Sequence, residues 1–239
     1  MEETKERSQE VKEMLQAGAH FGFSRTRRHP SVLPYIFGVK NRVEIFDLEK
    51  TGEQLEAALA FVEKLGGENK KMVLVGSKNE ARDLIKEAAE ILGLPYVTGR
   101  WVGGTLTNFG EIRKRVERML ELAEKREAGE LAKYTKKERL LIDREIVHLE
   151  SLFSGLVGLK EMPGAMFVVD PREEKIAVRE AEKKGVPVVA LCGSDCDISR
   201  IAYSVPANDA SRSSISYFVG RVTEAYKRGQ KAAQSSLHG

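Results

Sequence analysis

The residues of this sequence best placed to hold a metal are acids that follow predicted strands. Asp47, Asp170, Asp195 and Asp197 stand at or just after such strands. Carboxylate oxygens are the ligands that Mg²⁺ prefers, so a phosphoryl-transfer site is one interpretation. Aspartate is also common in turns for conformational reasons, and no Lys or Ser/Thr motif accompanies these acids to fix a reacting phosphate. We therefore expect no metal, no cofactor and no small-molecule substrate.

The glycine loops and possible nucleophiles do not match a catalytic motif. The loop at 75–78 lacks the first glycine and the length of a P-loop, and the loop at 99–104 does not match G-x-G-x-x-G. Cys192 and Cys196 are too few for a zinc site or a disulfide framework. The sequence predicts a protein that is not an enzyme. A phosphate-handling enzyme and an adaptor that binds only proteins are the two alternatives.

Three arginines within one short segment are the best candidates for contact with RNA. Arg25, Arg27 and Arg28 lie between His20 and Pro30, beside aromatic and small polar residues. Guanidinium groups bind phosphate oxygens through paired hydrogen bonds, and aromatic rings stack on unpaired bases. An ordinary basic loop is the alternative interpretation. The formal net charge of +3 is too small to demand a nucleic-acid partner, so any RNA-binding surface must be local.

The secondary structure predicted around these residues alternates between strands and helices. A short helix at 11–17 and a loop at 20–38 come first, and a capping box at Thr51 and Gln54 is expected to begin the helix after residue 47. Apolar runs predict strands at 43–47, 72–75, 96–97, 165–169, 188–191 and 202–205, with helices between them and a last helix at 209–228. This order predicts an α/β fold in which a parallel sheet lies between two helix layers.

The segment at 107–159 interrupts that order with helical periodicity alone. Its apolar residues advance by four and three, at Ile112, Val116, Met119 and Ala123, and then at Ile142, Ile146, Leu149, Phe153 and Leu156. This spacing predicts an inserted antiparallel coiled-coil hairpin. We expect an α/β domain of residues 1–106 and 160–228, the hairpin, and a disordered tail at 229–239. The basic residues on the hairpin are candidates for RNA contact, with a solvated helix surface as the favoured alternative.

Composition restricts the class of protein further. Of the 239 residues, 41% are hydrophobic, which is enough for a sizeable core without disulfide or metal. The charged start of the chain does not resemble a signal peptide, and no apolar stretch is long enough for a membrane span. We expect a soluble protein of a reducing cytoplasm, without a membrane partner. The single tryptophan, Trp101, is expected to pack against the core.

Six stretches of the sequence are similar to the signature stretches of one family, in the family's order. They are Gly18–Gly22, Pro34–Gly38, Asp47–Thr51, Arg100–Asn108, Thr135–Glu138 and Pro206–Asp209. They resemble ribosomal protein S2, and the Arg-Trp-x-Gly-Gly-x-Leu-Thr-Asn block is highly specific. The resemblance implies a flavodoxin-like three-layer αβα sandwich with a protruding coiled coil. It also implies a structural, non-catalytic role on the small ribosomal subunit, with 16S rRNA, neighbouring small-subunit proteins and protein S1 as partners.

Two sets of residues follow from the chemistry and the resemblance together. The hypothesis for RNA binding comprises Arg25, Arg27, Arg28, Arg100, Arg113, Lys114, Lys136 and Lys137. The structural motif comprises Gly18, His20, Phe21, Gly22, Trp101, Gly103, Gly104 and Asn108. The sequence departs from the family pattern at Phe23, at Ala207 and in the loop at 192–198. A polar contact made by the family at position 23 therefore does not carry over.

Overall fold

The computed structural model describes the backbone of residues 2–237 and the side chains of residues 7–235. Over this range the strands are β1 (Phe21–Ser24), β2 (Ile36–Lys40), β3 (Val43–Phe46), β4 (Met72–Val75), β5 (Tyr96–Val97), β6 (Ala165–Val169), β7 (Val188–Cys192) and β8 (Tyr203–Pro206). Five of them form one parallel sheet in the order β5-β4-β6-β7-β8. The predicted α/β fold class is confirmed.

The helices of the described chain are α1 (Glu2–Gln16), α2 (Leu48–Gly67), α3 (Asn79–Leu92), α4 (Phe109–Glu127), α5 (Lys136–Phe153), α6 (Lys175–Lys184) and α7 (Arg212–Leu237). Short 3-10 helices lie at Arg25–Arg27, Pro30–Tyr35, Glu130–Lys133 and Ser154–Leu156. In the described part of the chain, no helix combines the length and the apolar character needed to cross a membrane.

The parallel sheet builds a separate core on each face because successive strand residues point in opposite directions. Leu74 and Phe167 are buried in the core that includes residues of α1, α2, α3 and α7. Val73 and Val168 are buried in the core that includes residues of α4, α5 and α6. Each fully buried side chain of this size stabilises the fold by about 1.5–3 kcal/mol. The continuous apolar strands of the sequence thus reflect burial on both faces.

A second, antiparallel sheet is a correction to the sequence analysis. Its order is β1-β3-β2, and it includes two strands in the segment at 20–38 that was expected to be a loop. The strand at Val43 was expected to belong to the βαβ series. It pairs instead with β2 across a turn at Asn41 and Arg42, both at positive φ. Such a short connection joins only antiparallel strands, since a parallel crossover needs a dozen or more residues.

The beginnings of α1 and α2 also differ from the prediction. The first helix extends from Glu2 to Gln16 rather than over 11–17. Its first half was missed because those charged residues show no apolar periodicity. The second helix is capped by Asp47, whose carboxylate accepts hydrogen bonds from the backbone of Glu49 and Lys50. Thr51 is not the cap. Its buried hydroxyl lies 2.7 Å from the carbonyl oxygen of Pro206, to which it donates.

Helices α2 and α7 pack unusually close together through glycine. A Cβ atom placed on Gly66 would lie 2.4 Å from the carbonyl oxygen of Tyr226, and one on Gly229 would lie 1.9 Å from that of Glu63. Only glycine permits this approach. Helix α7 continues to Leu237, whereas a disordered tail was expected from residue 229. Residues 238 and 239 of that predicted tail lie outside the described residues.

The two helices of the interrupting segment, α4 and α5, bury most of the residues that the periodicity selects, and Ile142 is only partly buried. Ile112, Val116 and Met119 are buried on α4, and Ile146, Leu149 and Phe153 on α5. Leu122 is buried in place of Ala123. Two ion pairs join the helices, Arg118–Glu145 and Arg126–Glu150. The residue numbers on both helices rise from the first pair to the second, whereas in a regular antiparallel pair one number rises as the other falls. The antiparallel coiled coil stays a prediction.

Candidate nucleic-acid interface

The arginine-bearing segment after β1 is attached to the loop that follows β7. The backbone N–H of Phe23 donates to Oγ of Ser194 at 2.8 Å, and that of His29 donates to the carbonyl oxygen of Ser194 at 2.9 Å. A Cβ atom on Gly22 would lie 3.0 Å from Oγ of Ser194, which accounts for glycine at this position. The segment is therefore a fixed platform. Sequence reasoning missed Ser194 because its partners are about 170 positions away.

The three arginines of this platform differ in how much of their charge is available. Among the described residues, the exposed side chain of Arg25 forms no ion pair. Arg27 is about half exposed, lies 4.5 Å from the centre of the Phe23 ring and pairs with Asp195 at 3.2 Å. Arg28 is mostly covered and pairs at 2.8 Å with Glu44, which is completely buried. Arg28 therefore serves mainly as the internal counter-ion of Glu44, since a buried carboxylate needs a partner.

The residues at the end of α1 adopt conformations that explain their types. Gly18 has a φ of 73°, which favours glycine, and its carbonyl oxygen accepts a hydrogen bond from the side-chain amide of Asn208. His20 follows, with a pKa lowered by burial and by the nearby charge of Lys40. The centre of its ring lies 3.9 Å from that of Phe21, with the two rings tilted by 40°, and Phe21 is 48% exposed. Phe21 is thus a surface residue, while the residues before it hold the turn.

The segment from Arg100 to Asn108 is held by a carboxylate from α6. Glu180 is buried and accepts hydrogen bonds from the backbone N–H groups of Gly104, Leu106 and Thr107 at 2.6, 2.9 and 3.1 Å. Burial alone would raise the pKa of Glu180, but these three hydrogen bonds lower it. Gly104 has a φ of 99°. No local pattern predicts the role of Glu180, because it lies more than 70 positions beyond its partners.

Within the same segment, Trp101 is only 4% exposed and belongs to the core beneath α4. Gly103 lies against the carboxylate of Glu180, and the backbone N–H of Asn108 donates to the carbonyl oxygen of Gly104 immediately before α4 begins. Arg100 is exposed and, within the described residues, unpaired. The segment therefore presents one free cation at the surface while its other members shape the turn.

The basic residues of α4 and α5 fall into two groups. Arg113 donates to the carbonyl oxygen of Leu159 at 3.2 Å and pairs with Glu117, and Lys114 pairs with Glu111 at 2.7 Å. Lys136 and Lys137 are exposed and form no ion pair with any residue that the structure describes. They follow Thr135, which forms the expected capping box with Glu138. The capping box is confirmed.

The carboxyl ends of the parallel strands, where sheets of this kind bind ligands, are occupied by internal ion pairs. Lys78 follows β4 and pairs with Asp170, which follows β6, and with Asp209 at 3.5 Å. The backbone N–H of Ser77 donates to the buried carboxylate of Glu174 at 2.9 Å. The crevice lies where the connections of the sheet reverse direction, between β4 and β6. Its charges are already compensated by the protein.

Two of the four acids considered from the sequence reach this crevice. Asp170 lies inside it, and Asp195 lies at its edge, where it pairs with Arg27 and Arg172. Asp47 caps α2, and Asp197 accepts hydrogen bonds from Ser199. The Sγ atom of Cys196 lies 3.6 Å from the carboxylate of Asp170, and burial raises the thiol pKa of Cys196. The ammonium group of Lys78 supplies the positive charge in this cluster.

Comparison with known proteins gives a consistent result. The family model described as ribosomal protein S2 matches residues 14–229 of the chain. A small ribosomal subunit protein uS2 of Chloroflexus aurantiacus is 39% identical over 226 residues, which is 95% of either chain. The protein of the same name from Roseiflexus sp. (strain RS-1) is 40% identical over 232 residues, 96% of this chain and 88% of its own. That from Coprothermobacter proteolyticus is 40% identical over 224 residues, 94% of this chain and 84% of its own.

Proposed function

The chain belongs to the ribosomal protein S2 family, and we propose how its surface binds the other components of the small ribosomal subunit. It is a structural component of the small ribosomal subunit, it is not an enzyme, and it acts on the ribosome in the cytoplasm. The family assignment accounts for a doubly wound sheet whose ligand crevice is filled with ion pairs. What remains to be assigned is which residues contact rRNA and which contact neighbouring proteins.

We propose that 16S rRNA is bound through its phosphates by exposed basic residues whose charge the protein leaves uncompensated. The observation that carries this proposal is the absence of an ion pair, within the described residues, at Arg25, Arg100, Lys136 and Lys137. Arg27 and Lys114 add exposed charge that is partly compensated by Asp195 and Glu111. Arg28 and Arg113 contribute chiefly through their internal partners. Such a surface recognises backbone and shape rather than base sequence.

The test is cosedimentation with small subunits from which the native protein has been removed, over a series of salt concentrations. We expect Arg25→Ala, Arg100→Ala and Lys136→Gln/Lys137→Gln each to weaken binding and to make it less salt-dependent, by about 0.7–0.9 in the log–log slope for each lost phosphate contact. Lys86→Gln is the matched control, because Lys86 is exposed but paired with Glu90 on α3. Variants that bind with the affinity and slope of the wild type would remove those residues from the interface.

We also propose a docking surface for a neighbouring protein, with protein S1 as the partner, on the small antiparallel sheet. Phe37 is 79% exposed, and Phe21 and Val39 are about half exposed. The register of β2 against β3 shifts between Ile36 and Gly38, so a bulge re-aims the side chain of Phe37. Exposed aromatic side chains are typical centres of protein interfaces.

Substitution of the aromatic residues tests this docking surface. We expect Phe21→Ser and Phe37→Ser to reduce S1 retention on reconstituted small subunits while the variant proteins still bind the subunit. Ile91→Ser on α3 is the control, since Ile91 is similarly exposed but far along the chain from this sheet. Equal S1 retention in all three variants would exclude the surface.

We propose that the chain is organised as an α/β body, residues 1–106 and the chain from residue 160 onward, with the helical insertion at 107–159. The second part of the body includes α7 to Leu237, because Gly229 packs against α2. The supporting observation is that α4 and α5 interrupt the sheet between β5 and β6 without adding a strand. The inner ends of both helices pack in the same core as the sheet. The insertion is therefore expected to fold together with the body.

A further inference from the structure

The turn between α4 and α5 carries a group of cations around an aromatic side chain. Lys133, Lys136, Lys137 and Arg139 are exposed and form no ion pair with any residue in the described part of the chain. Against these four positive charges the stretch 133–139 contains one acid, Glu138, so its local net charge is +3. Glu138 is engaged in the capping box with Thr135, and its pKa is lowered by the backbone N–H of Thr135.

The aromatic residue at the centre of this turn is Tyr134. Its side chain is 39% exposed, and the ammonium group of Lys133 lies 5.6 Å from the centre of its ring. In the described residues, its hydroxyl group forms no hydrogen bond. Beyond the contact with Lys133, the exposed part of the ring leaves surface for a flat partner.

The backbone around Tyr134 is held by hydrogen bonds on both sides. Leu131 is buried and anchors the preceding 3-10 helix, and the N–H of Tyr134 donates to the carbonyl oxygen of Leu131 at 3.1 Å. On the other side, Thr135 and Glu138 lock the first turn of α5. Because the backbone is already ordered, binding at this turn has to order only the side chain of Tyr134.

We propose that the turn at 133–139 is a second type of rRNA contact, in which an unpaired base stacks on Tyr134 while the surrounding lysines and Arg139 bind the flanking phosphates. This inference rests on the proposed function, because it assumes that the chain lies against rRNA. Stacking on an aromatic ring tolerates any base, and cations beside the ring follow the backbone of a single strand. An acidic protein segment would use the cations but would not need the ring.

The experiment compares Tyr134→Ala, Tyr134→Phe and the triple variant Lys133→Gln/Lys136→Gln/Lys137→Gln for binding to small subunits that lack the native protein. We expect Tyr134→Ala to weaken binding about 5- to 100-fold, as for the loss of one stacked base, and Tyr134→Phe to bind within about 2-fold of the wild type. The triple variant should lose affinity and salt dependence together. Circular dichroism and Trp101 fluorescence check that each variant is folded.

A direct readout is ultraviolet cross-linking of reconstituted subunits followed by mass spectrometry. We expect a nucleotide adduct on Tyr134. Equal binding by Tyr134→Ala and the wild type, equal losses in Tyr134→Ala and Tyr134→Phe, or a cross-link to a protein at this turn would each overturn the inference. Retention of poly-glutamate that depends on the lysines but not on the ring would instead assign the turn to an acidic protein. Failure of the wild type to cosediment at all would contradict the proposed function itself.

Discussion

The ammonium group of Lys78 lies 3.5 Å from the carboxylate of Asp209, which joins the loop after β4 to the loop after β8 across the carboxyl edge of the sheet. Asp170 is the second acid on the same ammonium group. All three side chains are largely buried, and attraction to the acids outweighs burial in raising the pKa of Lys78. The charged groups at this edge of the sheet are therefore paired with one another.

Removal of the ammonium group of Lys78 should therefore lower the stability of the fold. We expect Lys78→Met to lower the free energy of unfolding by about 3–5 kcal/mol, because it leaves the buried Asp170 and Asp209 without their counter-ion. Urea denaturation measures the loss. Lys86→Met is the control and should change stability by less than about 0.5 kcal/mol, since Lys86 is a surface residue. A Lys78→Met variant as stable as the control would show that the acids need no counter-ion.

The pH dependence of stability should report Asp209. Burial, followed by the repulsion of Asp170, raises the pKa of Asp209 from 3.8 to about 7. The folded protein therefore holds this proton more tightly than the unfolded chain, so the stabilising contribution is full at low pH and is lost as pH rises through about 7.

We accordingly expect the difference in unfolding free energy, wild type minus Asp209→Asn, to decrease as the pH rises from about 4 to about 7. The groups that face Asp209 are Lys78, Asp170, Asp195 and Cys196, and both proteins retain them. Parallel urea titrations at several pH values give the difference directly. A difference that stays constant over this range would mean that Asp209 does not titrate there.

Glu180 should be required for the turn that begins α4. Glu180→Ala leaves the N–H groups of Gly104, Leu106 and Thr107 without their acceptor, and we expect a loss of about 2–4 kcal/mol. Because the pKa of Glu180 is lowered, its stabilising effect should be present above the pKa of the unfolded chain and be lost as pH falls.

Trp101 fluorescence and urea denaturation measure the effect of Glu180→Ala. Glu182→Ala, on the same helix but exposed and paired with Arg200, is the control and should be close to neutral. If both variants unfolded at the same urea concentration, the carboxylate would not be holding the turn.

Substitution of two glycines of α7 by alanine should change the stability of the protein in opposite directions. Gly229→Ala would place a methyl group 1.9 Å from the carbonyl oxygen of Glu63, so we expect α2 and α7 to separate at a cost of about 1–3 kcal/mol. Gly220 lies on the same helix with open space around its Cα, and Gly220→Ala should stabilise by about 0.5–1 kcal/mol. Thermal unfolding distinguishes the two, and a gain in both would refute the close packing.

The fold was largely predictable because its signals are local. The continuous apolar runs at Met72–Val75 and Ala165–Val169 and the four-and-three spacing of α4 and α5 follow directly from strand and helix geometry. The antiparallel sheet was missed, since β1 and β2 are short and lie between glycine, proline and arginine residues that favour a loop. The cap of α2 was misplaced because Asp47 and Thr51 both have side chains that cap helices.

The family, the α/β class, the burial of Trp101 and the set of basic residues that could form an RNA surface were all predicted from the amino-acid sequence. Which of those cations are unpaired follows from the folded chain, because their partners are distant in the sequence. Arg27 meets Asp195 across 168 positions, and Glu180 reaches Leu106 across 74. The local sequence shows which side chains carry a positive charge. Whether that charge is neutralised by an ion pair depends on which groups folding brings within a few ångströms.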